Sequence, residues 1–515
     1  MKGRLAGIMA FGLLACRGDS GPASGLRMAL INDPIMNPVL APDLGSILVN
    51  KVLFPGLVRP TDSIAVEPDL ATDYQVSEDG REYLFRLRPN VVWHDGRPFT
   101  SADVTFTFRQ ILDPSSGTLL WSDFSVIETV EAVDSLTVRF RLRTPFAPFL
   151  TLLGHNAGII PAHAFSGPIR EQVSFNRQRP VGTGPFQMAE SVAGSFLVLA
   201  ANPRYYRGPP ALARIVFKIV PDVTTQVAQL RAGELDLVTL EPANLRGLED
   251  DPALEVTQVS VPQHYFVGFN QSLARFRPAA VRRALTLAVN RQALIEGVLR
   301  GYGDYPQGTI PIALRDYYAD TLPRIPYDTA TALAILAQEG WRRDPEGALR
   351  DAAGEPFRIT LLVDKGNPTR EQTAVAIQQD FRRIGIDFAI RTMEFASLVR
   401  DFVQPHRYEA YLIWWNTPLD PDQYSYYGSR QANNDVLYQN PAVDSLLIAG
   451  RATLDRQARR SAYLAYQALE AVDPPVLVLY YPREIQVRRR RLDGVPRLGV
   501  RDALRHSERF SVTAR

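Results

Sequence analysis

Cysteine is all but absent from this 515-residue chain, the single one being Cys16. One thiol cannot close an internal disulfide, so the fold has to rest on apolar cores rather than on staples. Lysine is scarce too, at positions 2, 51, 218 and 365 only, so basic charge is carried by arginine. The 57 basic and 55 acidic side chains nearly cancel, which removes the electrostatic footprint that a nucleic-acid partner needs. The six histidines, at 94, 155, 163, 264, 406 and 506, show no metal-ligand spacing, and Pro161 separates His155 from His163. No metal is expected. Missing as well are the G-x-S-x-G elbow, H-E-x-x-H, C-x-x-C and G-x-x-x-x-G-K-[ST], so no catalytic residue and no cofactor is indicated. Gly182-Thr183-Gly184 is too short for a phosphate loop and reads as a tight turn between Pro180 and Pro185.

What is present begins with one apolar run at the start. Lys2 and Arg4 precede Leu5 to Ala15, eleven residues that are too short to span a bilayer and fit an export signal at 1–15. The run ends in Leu13-Leu14-Ala15-Cys16, which resembles the lipobox of bacterial lipoproteins. That resemblance implies that Cys16 is lipidated and becomes the first residue, with 16–25 as a small-residue tether. Loss of residues 1–15 takes away Lys2 and Arg4 and leaves 55 basic against 55 acidic side chains. The run Arg488 to Arg491 reads as a solvated strand end after a buried stretch rather than as a nucleic-acid patch.

The rest is ordinary for a globular protein, 46% hydrophobic and 22% charged, and long enough for two or three cores. Residues 71–114 are the most informative stretch. Tyr83, Phe85 and Leu87 alternate on one strand face, and Asp79-Gly80 and Asp95-Gly96 supply turn chemistry. Thr100 caps a helix with Asp103 three residues on, and Val104, Phe108, Ile111 and Leu112 follow at helical spacing until Asp113-Pro114. Two βαβ units stand far apart. The first has a strand at 214–220, a helix at 222–232 closed by Gly233, and a strand at 235–239. The second has a strand at 357–363, a helix at 369–384 closed by Gly385, and a strand at 386–391. Two such units imply two α/β lobes, with the extended runs 263–271 and 475–483 as crossings between them.

The 71–114 stretch closely resembles the signature of the family 5 extracellular solute-binding proteins, the peptide- and nickel-type receptors of ABC importers. Their pattern is matched at Ala71, Ser77, Asp79, Gly80, Phe85, Leu87, Arg88, Trp93, Asp95, Gly96, Pro98, Asp103 and Val104, with Tyr74 in place of tryptophan. RPVGTGPF at 179–186, NPRYYRGP at 202–209, LRAGELD at 230–236, VRRALTLAVN at 281–290 and the loop from Trp415 to Ser425 extend the resemblance over nearly the whole chain.

The resemblance implies an α/β, two-lobed periplasmic-binding-protein-like fold of type II, in the large class with an extra subdomain, and a hinge of two crossings. Lobe I would take residues 26–265, with the extra subdomain at about 73–180, lobe II 266–485, and 486–515 would return to lobe I. The implied function is the extracytoplasmic, substrate-binding part of an ABC importer, not an enzyme, anchored to the cell envelope by lipid. Its partners would be a peptide or other small polar ligand and the permease's membrane subunits, with no nucleic acid, and it would be a monomer. Ligand contacts are expected from Tyr265, Asn270, Trp414, Trp415, Thr417, Asp420 and Tyr424. Peptide-binding relatives place an acid for the ligand's amine just after the loop tryptophan, whereas Asn416, Thr417, Pro418 and Leu419 precede Asp420 here. An exported peptidase or glycosidase would need a nucleophile and base or a carboxylate pair that no motif supplies. A sensory or scaffold lipoprotein of the same fold is the other alternative.

Overall fold

Two α/β lobes hang on a single sheet in the computed structural model, which describes residues 25–61, 65–417 and 419–513. The export signal, Cys16 and nearly all of the tether lie outside the described residues. Strands Gly25–Leu30, Arg214–Ile219 and Leu237–Leu240 run parallel in lobe I, with the first between the other two. Helix Val223–Ala232 makes the crossover, capped by Asp222, which accepts from the Thr225 amide at 2.8 Å, and ended by Gly233 at φ 74°. In lobe II the parallel pair is Arg358–Asp364 and Asp387–Met393, joined by helix Pro368–Arg383. Ala374, Ile377, Phe381 and Ile384 are buried against that pair, as the helical spacing requires.

The stretch Gln263–Phe269, expected as a crossing, is a central strand of lobe II between Ala410–Asn416 and Leu477–Arg489. Its alternation feeds two cores: Tyr265, Val267 and Phe269 enter one, Phe266 the other. The chain leaves lobe I after Leu254–Ser260, through Val261 and Pro262. The second connection is the long strand Leu477–Arg489. Leu477 to Tyr480 pair with Gln263–Phe269, whereas Arg483 to Arg489 pair with Leu254–Ser260, and Ile485 to Arg488 with Leu237–Leu240. Pro482 stands where the partners change. A proline sits at each connection, and each lacks the amide that would continue a ladder.

The 71–114 segment supplies two strands of a separate four-stranded antiparallel sheet, Ala71–Val76, Glu82–Leu87, Thr137–Leu142 and Ile127–Asp134 in spatial order. Helix Ser101–Leu112 lies across it, with Phe108 edge-on to Phe140 at a 4.8 Å centroid separation. Asp103 explains much of the motif. Its carboxylate is buried and accepts from the Thr100 amide at 3.0 Å, the Trp93 indole at 3.2 Å and the Ala162 amide at 2.9 Å. One side chain thus caps the helix, fixes the tryptophan and ties down the following loop. Gly182 and Gly184 lie against the end of helix Leu44–Leu53, where an added Cβ would come within 1.9 Å of the Leu53 carbonyl or 2.1 Å of the Val52 carbonyl. No larger residue fits that turn.

Of the Arg488 to Arg491 run, expected as a solvated strand end, only Arg490 is exposed, and all four side chains have partners. Arg488 pairs with Glu255 at 2.9 Å, Arg489 donates to the Leu230 carbonyl at 2.9 Å, Arg490 to the Pro252 carbonyl at 3.1 Å, and Arg491 pairs with Asp236 at 2.6 Å. Alternate strand positions point to opposite faces, and each face meets a packed element with acceptors to offer. Among the described residues no helix is long and apolar enough to cross a membrane. Replacing Asp103 by alanine strands three N–H donors at once, so the urea midpoint should drop by the equivalent of about 3 kcal/mol or more. A loss below about 0.5 kcal/mol would mean the carboxylate is not a hub.

Candidate functional site

In α/β sheets the carboxyl ends of the parallel strands are where ligands gather. In lobe I the strand Leu237–Leu240 ends at Glu241, and in lobe II Arg358–Asp364 and Ala410–Asn416 end at Asp364 and Thr417. These ends carry two sets of side chains, one on each face of the lobe II sheet.

On the first face Tyr265 stacks on Tyr480 at 4.9 Å, with Trp414 6.5 Å away. The Arg370 guanidinium lies 4.2 Å over the Trp414 ring and pairs with Asp364. Arg370 is in the first turn of its helix, where the dipole disfavours a cation. The buried carboxylate and the ring hold it there. Glu241 reaches this group from lobe I. It keeps solvent contact, yet crowding by both lobes pushes its carboxyl above the usual range, opposed by Arg370 and by a hydrogen bond from Thr369. Glu241 and Arg370 therefore face each other across the crossing.

On the second face Trp415 meets Tyr426 with ring centroids 4.3 Å apart. His264 is the strand partner of Trp415, and the Thr417 amide donates to the Pro262 carbonyl at 2.7 Å, which fixes the loop to the first connection. Asp420 is fully buried and pairs with Arg459 at 2.5 Å. Asp422 pairs with Arg451 at 2.9 Å, and burial pushes its carboxyl up while Arg451 opposes the shift. Tyr424 opens the short helix Tyr424–Tyr427 and lies under Arg451, 4.7 Å from the cation.

Of the seven expected ligand contacts, six gather around the ends of Gln263–Phe269 and Ala410–Asn416: Tyr265 and Trp414 on one face, and Trp415, Thr417, Asp420 and Tyr424 on the other. Asn270 does not join them. It sits at the far end of its strand, roughly 20 Å from the crossing at 3.3 Å per residue. Its amide donates to the His406 and Tyr408 carbonyls at 3.0 and 2.9 Å, and its oxygen accepts from Ser272. Glu241, Arg370, His264, Gln423 and Arg451 were not foreseen. Only Arg370 left a signal, as an arginine at a helix start.

The lobes also touch through the small sheet. The Ala147 amide donates to the Arg451 carbonyl at 2.7 Å, and the Arg451 cation lies 5.1 Å from the Phe146 ring. Leu454 packs against Gly80, where an added Cβ would meet it at 2.9 Å. A cavity of about 700 Å³ opens elsewhere on lobe I, lined by Asp33, Met36, Arg177, Arg179, Glu190 and Phe196 among others, and none of the expected contacts lines it. Among the described residues no group of three or more His, Cys, Asp or Glu could hold a metal ion.

Beside the second connection, the Tyr481 hydroxyl donates to the Gly308 carbonyl at 2.7 Å, and Glu470 accepts from the Thr309 amide at 3.1 Å. Burial pushes the Glu470 carboxyl up to about 7, and hydrogen bonds from Thr309 and Tyr466 only partly oppose this.

A profile of the bacterial extracellular solute-binding proteins, family 5 middle region, matches residues 65–435. The oligopeptide-binding protein AppA of Bacillus subtilis (strain 168) is 27% identical over 509 residues, covering 95% of this chain and 94% of that protein. Heme-binding protein A of Haemophilus influenzae is 29% identical over 431 residues, covering 79% and 77%. The structure of Bacillus subtilis AppA in complex with a nonapeptide aligns with a TM-score of 0.79 at 26% identity, over 96% of this chain and 100% of that one.

Glu470 gives a pH test. A carboxyl raised in the folded state favours folding while it is protonated, so stability is highest below the unfolded value near 4.5 and falls as pH rises to about 7. The full loss is roughly 3 kcal/mol. Glu470→Gln should flatten the melting temperature between pH 4.5 and 7, and an unchanged slope would place the titration elsewhere.

Proposed function

This chain belongs to the family 5 bacterial extracellular solute-binding proteins, and we propose that it captures an oligopeptide, or a polar solute of similar size, between its lobes and hands it to the membrane subunits of an ABC importer. The observation that carries this reading is the pair of proline-containing connections between two lobes that share a sheet, with aromatic side chains at the strand ends beside them. Two such connections permit rotation of one lobe against the other, as in hinge closure around a ligand. The moving units are residues up to Ser260 with the return from Arg483, against Gln263 to Tyr481. No bond is made or broken. A peptide would lie across the ends of Gln263–Phe269 and Ala410–Asn416, with Trp414, Trp415 and Tyr265 giving flat apolar area. Lipidation at Cys16, with its short tether, would keep the monomer at the membrane that carries the permease. The names of relatives, which span oligopeptides and heme, support the class and leave the cargo to the cleft's own chemistry.

Native mass spectrometry of the protein purified from its own host should reveal retained peptide-sized cargo. Cleavage of a peptide or glycan library by the purified protein would replace this reading with an exported hydrolase. Closure has its own test. Arg451→Ala removes the cation that lies against Phe146, Tyr424 and Asp422 together. Small-angle scattering should show a larger radius of gyration for the ligand-free variant, and peptide affinity should fall by about tenfold. An unchanged radius would remove Arg451 from any role in closure.

A further inference from the structure

Four of the buried side chains near the loop after Trp415 have polar atoms with no hydrogen-bond partner among the described residues. They are His264 at Nδ1, Thr417 at Oγ1, Asp420 at Oδ2, and Gln423 at both its amide oxygen and nitrogen. All four are at most 2% exposed. Buried polar atoms are nearly always paired, and a primary amide with neither end paired is rarer still. Three of the four are tied to one place. His264 pairs with Trp415 across the strands, Thr417 is hydrogen-bonded to Pro262, and Tyr427, held by the Gln423 carbonyl at 3.0 Å, brings its hydroxyl 3.5 Å from His264 Nε2.

The two acids of this loop are already matched. Asp420 is matched by Arg459 and Asp422 by Arg451. His264 stays neutral, because burial pushes its imidazole down to about 3. Thr417 and Gln423 carry no charge and offer both donors and acceptors. An ammonium group brought here would lose its water and find the loop's two acids already holding arginines, a costly transfer. A carboxamide would lose less and could match a donor and an acceptor at once.

We propose that the buried polar cluster beside Trp415 is a subsite for a neutral, hydrogen-bonding part of the ligand, an amide such as a blocked amino terminus or an internal peptide unit, and that it disfavours a free amine. The inference rests on the peptide reading above and deepens it. Two pools of random hexapeptides, both amidated at the carboxyl end, one with free and one with acetylated amino termini, are mixed with full-length protein at pH 7. Retention is read by native mass spectrometry. The acetylated pool should be retained at least about tenfold better. Gln423→Leu and the near-isosteric Thr417→Val should each abolish that preference. Their ligand-free melting temperatures should stay within about 2 °C of the parent or rise, since removal of an unpaired buried polar group leaves no partner stranded. Equal or better retention of the free-amine pool, an unchanged preference in both variants, or a fall of more than about 5 °C in both would overturn the subsite while leaving the receptor reading intact. Retention of neither pool would overturn the peptide reading, and this inference with it.

Discussion

The strand Leu477–Arg489 is the constraint on which the rest of the molecule depends. Its first half is apolar on both faces, buried between the two cores of lobe II, as a central strand must be. Its second half supplies ladder bonds to two strands of lobe I. Neither lobe can complete its sheet without it, so the lobes cannot drift apart as tethered domains would. Pro482 and, on the other connection, Pro262 are the points at which the ladders lack an amide. The proposed site lies at these points because the strands that end beside them bring residues from both lobes together.

A second constraint is electrostatic and follows from the near absence of lysine. Buried carboxylates recur throughout, and arginine answers several, Asp236 with Arg27 and Arg491, Asp364 with Arg370 and Asp420 with Arg459, as Arg282 answers the half-buried Asp473. A planar guanidinium can satisfy a carboxylate and still present a face to an aromatic ring, which an ammonium does less well. Arg370 over Trp414 and Arg451 over Tyr424 are that arrangement at the ligand side. Such pairs are weak evidence for stability, because desolvation offsets most of their attraction. Their consequence here is different: the acids of the loop after Trp415 are already matched by arginines, and the loop is left with neutral donors and acceptors.

Local order was legible in the sequence because local order has a period. Alternation found Tyr83, Phe85 and Leu87, helical spacing found Val104, Phe108 and Ile111, and the Thr100–Asp103 cap was readable as such. The two βαβ units were readable from their glycine stops. Pairings distant along the chain have no such period. Nothing near Asn270 announces that its amide holds the His406 and Tyr408 carbonyls, and nothing near Arg491 announces Asp236, 255 residues away. A polar residue after an apolar strand reads alike whether it faces a ligand or the protein's own backbone. Gln423 shows the converse. It lies in a loop whose composition suggests exposure, yet it is fully buried.

The most recognisable segment of the chain gains a physical role from the same contacts. Its motif residues build a sheet and a capped helix, and Asp103 holds three donors that fix their geometry. That alone would make the segment a stable but idle appendage. Yet the Asp79-Gly80 turn receives Leu454, and the loop after the small sheet offers Phe146 and the Ala147 amide to Arg451. Arg451 in turn holds Asp422 and covers Tyr424 on the ligand loop. The small sheet therefore reaches the loop that holds Asp422 and Tyr424 through one arginine. A rigid segment can report the position of a distant loop only if its own geometry is fixed, and the buried hub at Asp103 supplies that rigidity.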